Sequence, residues 1–340
     1  MTRIVVDAMG SDEYPIPDVT GAVLAAREYG VEVILVGDEA KIKPVLAAQN
    51  PGDLPIRIVH APEMLTMEDK GMALALKARR ENARNSMAVG IDLLKHGEAD
   101  AFITAGNTGA ALATAYFRLG TIPGVDLPAL APVFPTSTGT CVILDIGANP
   151  DCKAENLYQF AIMGSIYTEK VRGVKNPRIG LISNGEEEGK GNKLVHDALP
   201  LIKGAGLNFY GNVEGKEVFG GKVDVAVTDG FTGNVLLKST EAVAKLILEK
   251  VKEYIKKGGP VAILGGMMVR PALGQLRKLL DPNEEGAAPL LGTNGIVFIG
   301  HGRSDEIAIK NAIRLAKNAA DANLVDAIRD GIEQRLQKTI

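Results

Sequence analysis

Short β-branched and aliphatic runs, each closing on glycine or a polar turn and giving way to an alanine-rich stretch, recur from one end of the chain to the other. "RIVVDA" (3–8) leads to a predicted helix over Asp18–Tyr29, "VEVILVG" (31–37) to one over Glu39–Ala48, and "IRIVHA" (56–61) follows. "ENARNSMAVGIDLLKHG" (81–97) has the apolar spacing of an amphipathic helix and runs into "ADAFITAG" (99–106). The same character returns in "TCVILDIG", "RIGLISNG", "VDVAVTDG" and "NGIVFIGHG". Strands that end in glycine and enter helices imply a parallel sheet with helices on both faces. A 340-residue chain that is 46% apolar buries a large core, as one large α/β unit or two smaller ones. No Pro/Ser-rich linker divides it, so the expectation is one unit of two intertwined subdomains. In such sheets ligands sit at the carboxyl ends of the strands.

Two of those strand ends resemble each other. "ITAGNTGA" (103–110) and "VTDGFTGN" (227–234) both run from an apolar strand into Thr-x-Gly-x-Thr-Gly and then into helix formers. The pairing suggests an old duplication with two half-sites; the plainer alternative is generic strand-to-helix punctuation. A glycine loop at a helix N-terminus offers backbone N–H groups and the positive end of the helix dipole, which suits phosphate. Thr108 and Thr232 add hydroxyls, and Asn107 and Asn234 add amides. A third loop, "SNGEEEGKGNK" (183–193), sets Lys190 between glycines beside Asn192. There it is free to swing toward a phosphate or an oxyanion, or else it balances Glu186–Glu188 on a solvated turn. A fourth, "GHGRSD" (300–305), holds His301 between glycines, with Ser304 expected to begin a helix. Asp7, Asp145 and Asp229 bring carboxylates to the same strand ends.

The exclusions are as informative. No Walker-type phosphate loop occurs, and no G-x-G-x-x-G follows the first strand. His60, His96, His196 and His301 have no metal-binding spacing, so neither a metal nor a cofactor is expected. Two cysteines make no disulfide framework, which fits a reducing cytoplasm, and Cys152 reads as structural because no histidine stands near it in sequence. A net charge of −3, from 38 basic and 41 acidic residues, gives no reason to expect nucleic acid. Val261–Val269 is nine residues of apolar sequence, too short for the roughly 20 needed to span a bilayer. It lies within a segment, Lys250–Leu280, that joins Lys250, Lys252, Lys256, Lys257, Arg270, Arg277 and Lys278 to apolar residues. That mixture suits a protruding amphipathic helical element resting on an anionic membrane or an acidic protein, or an ordinary packed hairpin.

Taken in order, "VDAMGSD", "SMAVGIDLLKHGEADAFITAGNTGA", "LDIGANPDCKAENLYQFAIMG", "NGEEEGKGN", "VTDGFTGNVLLKSTEA", "APLLGTNGIVFIGHGRSD" and "AIKNAIRLA" closely resemble the bacterial phosphate acyltransferases of phospholipid synthesis. The likeness runs over nearly the whole chain. It implies a three-layer α/β/α fold of isocitrate/isopropylmalate-dehydrogenase-like type, built as a pseudo-dyad duplication and related to phosphotransacetylases. It implies acyl transfer from acyl-[acyl carrier protein] to inorganic phosphate, with no covalent enzyme intermediate. The partners it implies are acyl carrier protein, a second subunit, peripheral membrane contact and hand-off to a membrane glycerol-3-phosphate acyltransferase. On that reading Thr232, Gly233, Asn234, Gly106, Asn107 and Thr108 hold phosphate, while Lys190, Asp229, Asn192 and His301 orient it or serve the oxyanion and the leaving thiolate. Leu264, Met267, Met268 and Arg270 meet membrane or carrier. Ser11 and Leu127 depart from the family pattern, where a glycine and an arginine are expected, and Ala287 is a milder change. Competing readings are a coenzyme A-dependent phosphotransacetylase, a β-decarboxylating dehydrogenase and a non-enzymatic phosphate-metabolite sensor.

Overall fold

The computed structural model describes residues 1–66, 68–69, 71–279 and 281–336. The chain opens with β1 (Arg3–Asp7), α1 (Ile16–Tyr29), β2 (Glu32–Gly37), α2 (Glu39–Ala48) and β3 (Ile56–His60). An excursion carrying α3 (Gly71–Arg79) precedes α4 (Ser86–Lys95), β4 (Ala101–Thr104) and α5 (Thr108–Leu119). Then come β5 (Ala129–Leu130), β6 (Val133–Thr136), β7 (Gly139–Leu144), α6 (Ala154–Lys170), β8 (Ile179–Ile182) and α7 (Lys193–Gly204). Next are β9 (Phe209–Val213), α8 (Gly215–Phe219), β10 (Val225–Val227), α9 (Gly230–Lys257) and α10 (Gly259–Leu279). The described chain ends with α11 (Pro282–Glu285), β11 (Ala288–Leu291), β12 (Val297–Ile299), α12 (Glu306–Asp321) and α13 (Leu324–Leu336).

Instead of one sheet there are two, of seven and five strands, ordered β3-β2-β1-β4-β12-β11-β5 and β6-β7-β10-β8-β9. The inner strands are parallel, as their continuous apolar runs require. The antiparallel strands β5, β6 and β11 carry weak sequence signals and lie where the sheets meet. One extended segment joins them. The Ala131 amide donates to Pro289 on one side, and the Pro132 carbonyl accepts from Ile143 on the other. Pro132 has no N–H with which to continue a ladder, so the strand changes sheets there.

Strand residues alternate between two apolar cores. Ile4, Val6, Ile103, Leu144, Leu181 and Val227 face one, packed by α1, α6, α7 and α12. Val5, Phe102, Ile143 and Ala226 face the other, packed by α4, α5 and α8. Each core draws on strands of both sheets, which ties the halves into three layers. Three helix starts differ from the sequence expectation: α1 begins at Ile16 rather than Asp18, and a capping residue explains the other two. Asn85 caps the Ala88 amide at 2.9 Å, so the helix predicted from Glu81 begins at Ser86. Asp305, not Ser304, caps the start of α12, accepting from Ala308 at 2.9 Å, and Ser304 is buried outside the helix.

From the second sheet α9 and α10 stand out as a helical hairpin. The 28 residues of α9 run for about 42 Å. Only Gly230 and Gly233 of α9 are buried. The two helices meet where Ile255 lies over Gly266, whose missing side chain makes room. Ile263 is 39% exposed, Leu264 62%, Met267 64% and Met268 77%, so these four are not core. Arg270 is exposed beside them. Leu280, the last residue of the segment singled out from sequence, lies outside the described residues.

Candidate active site at the strand ends

At the end of β1, Asp7 is buried and accepts from the Thr104 hydroxyl (2.7 Å) and the Met9 amide (3.1 Å). Burial raises its pKa, against the pull of donors from Ser86, Thr104 and Met9. Thr104 Oγ1 accepts in turn from the Gly106 amide at 3.0 Å. Gly10 packs against this turn so closely that a β-carbon would sit 2.9 Å from the Ala105 and Gly106 amides. Asn107 caps α5 through Ala110 (3.0 Å) and donates its own amide to the Thr66 carbonyl (2.9 Å). The loop before α3 is thus pinned over the first turn of α5, where Thr108 is exposed.

The end of β7 repeats the plan. Asp145 is buried and accepts from the amides of Asn149 (2.6 Å) and Leu130 (3.0 Å). Burial raises its pKa, and these amides oppose the shift. Asp229 is the N-cap of α9, with its two oxygens accepting from the Thr232 amide (2.9 Å) and hydroxyl (2.8 Å). Gly230 donates to the Asn149 carbonyl at 2.9 Å. A β-carbon on Gly233 would lie 1.9 Å from the Asp145 carbonyl, so this glycine lets the helix seat against the β7 loop. Asn234 lies beside Gly147.

The sequence twins therefore share a place but not a cap. Register sets Asp7 beside Thr104, one step past the Val6–Ile103 pair, and Asp145 beside Thr228, one step past Leu144–Val227. A buried aspartate next to a strand-end threonine is the deeper repeat, and the loop similarity alone did not reveal it. Aligned on the threonines, Asn107 matches Phe231 and Ala105 matches Asp229. The second helix thus begins two residues sooner. Thr108 is the first residue of α5, whereas Thr232 is inside the first turn of α9 with its hydroxyl given to Asp229. The amides of Gly106 and Gly233 have internal partners, Thr104 and the Asp229 carbonyl, so neither is free to bind an anion in this arrangement.

The β8 loop is tied together by Asn184, which accepts from Gly191 at 2.8 Å. Glu186 pairs with Lys216 and Glu188 with Lys203. Lys190 is left exposed with no ion pair within 4 Å among the described residues, and Glu186 and Glu188 are taken up by other lysines. Asn192 caps α7, its oxygen accepting from Val195 at 3.0 Å, which leaves the side-chain NH2 as a donor. His301 lies across from α9. The residue is exposed, yet protein atoms crowding its ring lower its pKa by desolvation, with Arg303 and Lys238 lowering it further and Glu241 opposing. Its ring edge still meets solvent. At neutral pH it is a neutral imidazole, able to donate one N–H.

A family profile described as "Fatty acid synthesis protein" matches residues 2–327. The "Phosphate acyltransferase" of Acidobacterium capsulatum is 48% identical, over 99% of this chain and 96% of its own length. That of Elusimicrobium minutum is 45% identical, over 98% and 96%. The chain belongs to the phosphate acyltransferase family. Among solved structures, the EutD phosphotransacetylase from Staphylococcus aureus aligns with a TM-score of 0.60 at 16% identity, covering 94% of each chain. A phosphotransacetylase from Streptococcus pyogenes gives 0.60 at 18%, covering 95% of this chain and 94% of its own. These two share the fold.

In this phosphate acyltransferase family member the sequence departures are accommodated locally. The Ser11 hydroxyl donates to Asp18 at 2.6 Å inside the protein. Leu127 and Ala287 pack against the first core. Cys152 donates toward the Asn149 carbonyl, and burial pushes its thiol up to about 11, so it is no activated nucleophile. Sequence reasoning missed Asn149, whose amides serve Asp145 and the Pro128 carbonyl. Its "GANP" context gave only a turn signal.

Proposed function

We infer that this protein transfers a fatty acyl group from acyl-[acyl carrier protein] to inorganic phosphate, releasing acyl phosphate and free carrier. The observation that carries the reading is the unpaired Lys190, on a glycine loop at the carboxyl end of β8, next in the sheet to the strand that feeds α9. It occurs in a chain whose relatives are phosphate acyltransferases. A phosphate oxygen attacks the thioester carbonyl, a tetrahedral oxyanion forms, the C–S bond breaks and the thiolate leaves. The thioester is already electrophilic, so the protein has to position phosphate and stabilise the oxyanion. Lys190 and the Thr108 hydroxyl bind phosphate, joined by Asn234 and, if it turns from Asp229, Thr232. His301 and the free amide of Asn192 donate to the oxyanion or the departing sulfur. The finer fold we assign is isocitrate/isopropylmalate-dehydrogenase-like, supported by the two sheets that meet at Pro132. The exposed apolar hairpin supports peripheral membrane contact by a cytoplasmic homodimer, with hand-off of acyl phosphate to a membrane glycerol-3-phosphate acyltransferase.

The test is phosphate-dependent release of free carrier from acyl-[acyl carrier protein], run beside acetyl-coenzyme A with the same phosphate. Turnover of the carrier substrate alone supports the assignment. Turnover of acetyl-coenzyme A alone makes this a phosphotransacetylase, and binding without turnover makes it a sensor.

A further inference from the structure

The excursion between β3 and α4 is not explained by the loops and hairpin assigned so far. It leaves the carboxyl end of β3, at His60, and returns to the first residue of α4, whose Ser86 hydrogen bonds Asp7. It therefore rides on the same edge of the sheet as the candidate site. Its helix α3 lies along α5: Leu74 approaches Gly109 near the start, and Arg118 of α5 donates to the carbonyls of Ala78 and Arg80 further down. The outward face is apolar at its centre, with Met72 77% and Leu76 65% exposed. Exposed Phe117 adjoins it, with Arg79 over its ring at 5.1 Å.

The charge around that centre is one-sided. From Gly71 to Ile91 the only acidic residue is Glu81, against Lys77, Arg79, Arg80 and Arg84, while Glu68 and Asp69 precede the helix. Lys77 is neutralised by Asp69 at 2.5 Å. Arg79, Arg80 and Arg84 are exposed and have no carboxylate partner among the described residues. On the hairpin Lys250 and Lys257 both pair with Glu253 and Lys245 with Glu249, while Lys252, Lys256 and Arg270 are exposed without a carboxylate partner among the described residues. Unpaired arginines around exposed Met and Leu make a surface complementary to an acidic protein with a small apolar contact.

We propose that the α3 face, with exposed Met72 and Leu76, Arg79 at the helix end and Arg80 and Arg84 in the turn that follows, is the docking surface for the acidic carrier that delivers the acyl thioester. The proposal rests on the acyl-carrier reading of the function and gives the carrier a surface separate from the hairpin. Docking here sets the carrier beside the first turn of α5, where Asn107 and Thr108 stand. The arginines steer and orient the carrier, and the apolar centre holds it once seated.

The test compares the wild type with the triple variant Arg79→Glu, Arg80→Glu, Arg84→Glu, and with Leu76→Asn, which leaves the charges intact. Each is assayed with acyl-[acyl carrier protein] and with a carrier-free acyl thioester of the same chain. In the triple variant kcat/KM for the carrier substrate is expected to fall by about ten-fold or more and to lose its salt dependence. The carrier-free donor and the KM for phosphate should be unchanged, and Leu76→Asn should raise KM for the carrier without changing its salt dependence. Unchanged carrier kinetics in both variants overturns the proposal. So does a triple variant whose only change is its oligomeric state by light scattering, which would assign the face to a second copy of the chain. A wild type that ignores the carrier but uses the free thioester sinks the functional reading itself, a result recognisable before any variant is made.

Discussion

Lys190 and Asp18 illustrate what a single side chain does when its charge has no partner. Lys190 is exposed on a glycine-flanked loop, while Lys216 and Lys203 pair with Glu186 and Glu188. A charge-assisted contact to phosphate is worth about 1.5–3 kcal/mol, roughly ten- to hundred-fold in rate. Lys190→Ala should therefore lose that much turnover while its melting temperature stays that of the wild type; normal kinetics would return the lysine to a surface turn. Asp18 is the buried counterpart. One oxygen accepts from Ser11, the other has no partner among the described residues, and burial pushes its pKa up to about 7. An acid whose folded pKa exceeds its unfolded value near 3.8 binds more protons when native. Its ionisation thus removes stability as pH rises from about 4 to 7, at about 1.4 kcal/mol per pH unit, and no further above that. The melting temperature of Asp18→Asn minus that of the wild type should accordingly be larger at pH 8 than at pH 5, and an equal difference at both would contradict the shift. The exposed place of Lys190 was legible because a lone cation between glycines is a local pattern. The Asp7–Thr104 pair was not, because its partners are 97 residues apart in sequence and only register brings them together.

Helices and strands were legible where one period held throughout. The helix over Glu39–Ala48 is found with those bounds, and Tyr29 ends α1 as expected. Where two signals competed, the cap prevailed: Asn85 cut the predicted helix short although its apolar spacing extended further back. The two-residue β5 and the antiparallel β6 and β11 are too brief or too irregular for a period to register. The hairpin was legible as composition, but its reach back to Gly230 was not, because the first turn of α9 belongs to the glycine loop capped by Asp229. At this scale the deciding substitution is Leu264→Glu. A carboxylate resists transfer into an apolar boundary, and Leu264 is exposed, so the fold should be unaffected. Release from anionic vesicles, with activity on soluble acyl carrier substrate retained, supports lipid contact. Vesicle binding unchanged together with dissociation to monomers in sedimentation would make the hairpin a subunit contact.

Across the whole molecule, the recurrence of apolar strand and alanine-rich helix foretold parallel strands with helices on both faces, and the two cores meet that expectation. That the sheet would divide was not readable, since it depends on Pro132 meeting two different neighbours from distant parts of the chain. The division has a functional consequence. It sets the β12 end, with His301, in one half and α9 in the other, and the charges of Lys238 and Glu241 act on that histidine from the second half. These influences have opposite signs, which makes the arrangement testable without a ligand. Glu241→Gln removes a charge that favours imidazolium and should lower the His301 pKa further. Lys238→Gln removes one that opposes it and should raise the pKa. The histidine ring proton shifts, followed against pH and assigned with His301→Asn, read both changes directly. If the neutral ring donates to the oxyanion or leaving sulfur, the acid limb of the kcat/KM profile should move with them, downward in pH for the first variant and upward for the second. Titrations that ignore both substitutions would mean that α9 does not stand over the β12 loop in solution. Shifts in the ring without any movement of the acid limb would keep the cleft but remove His301 from the chemistry.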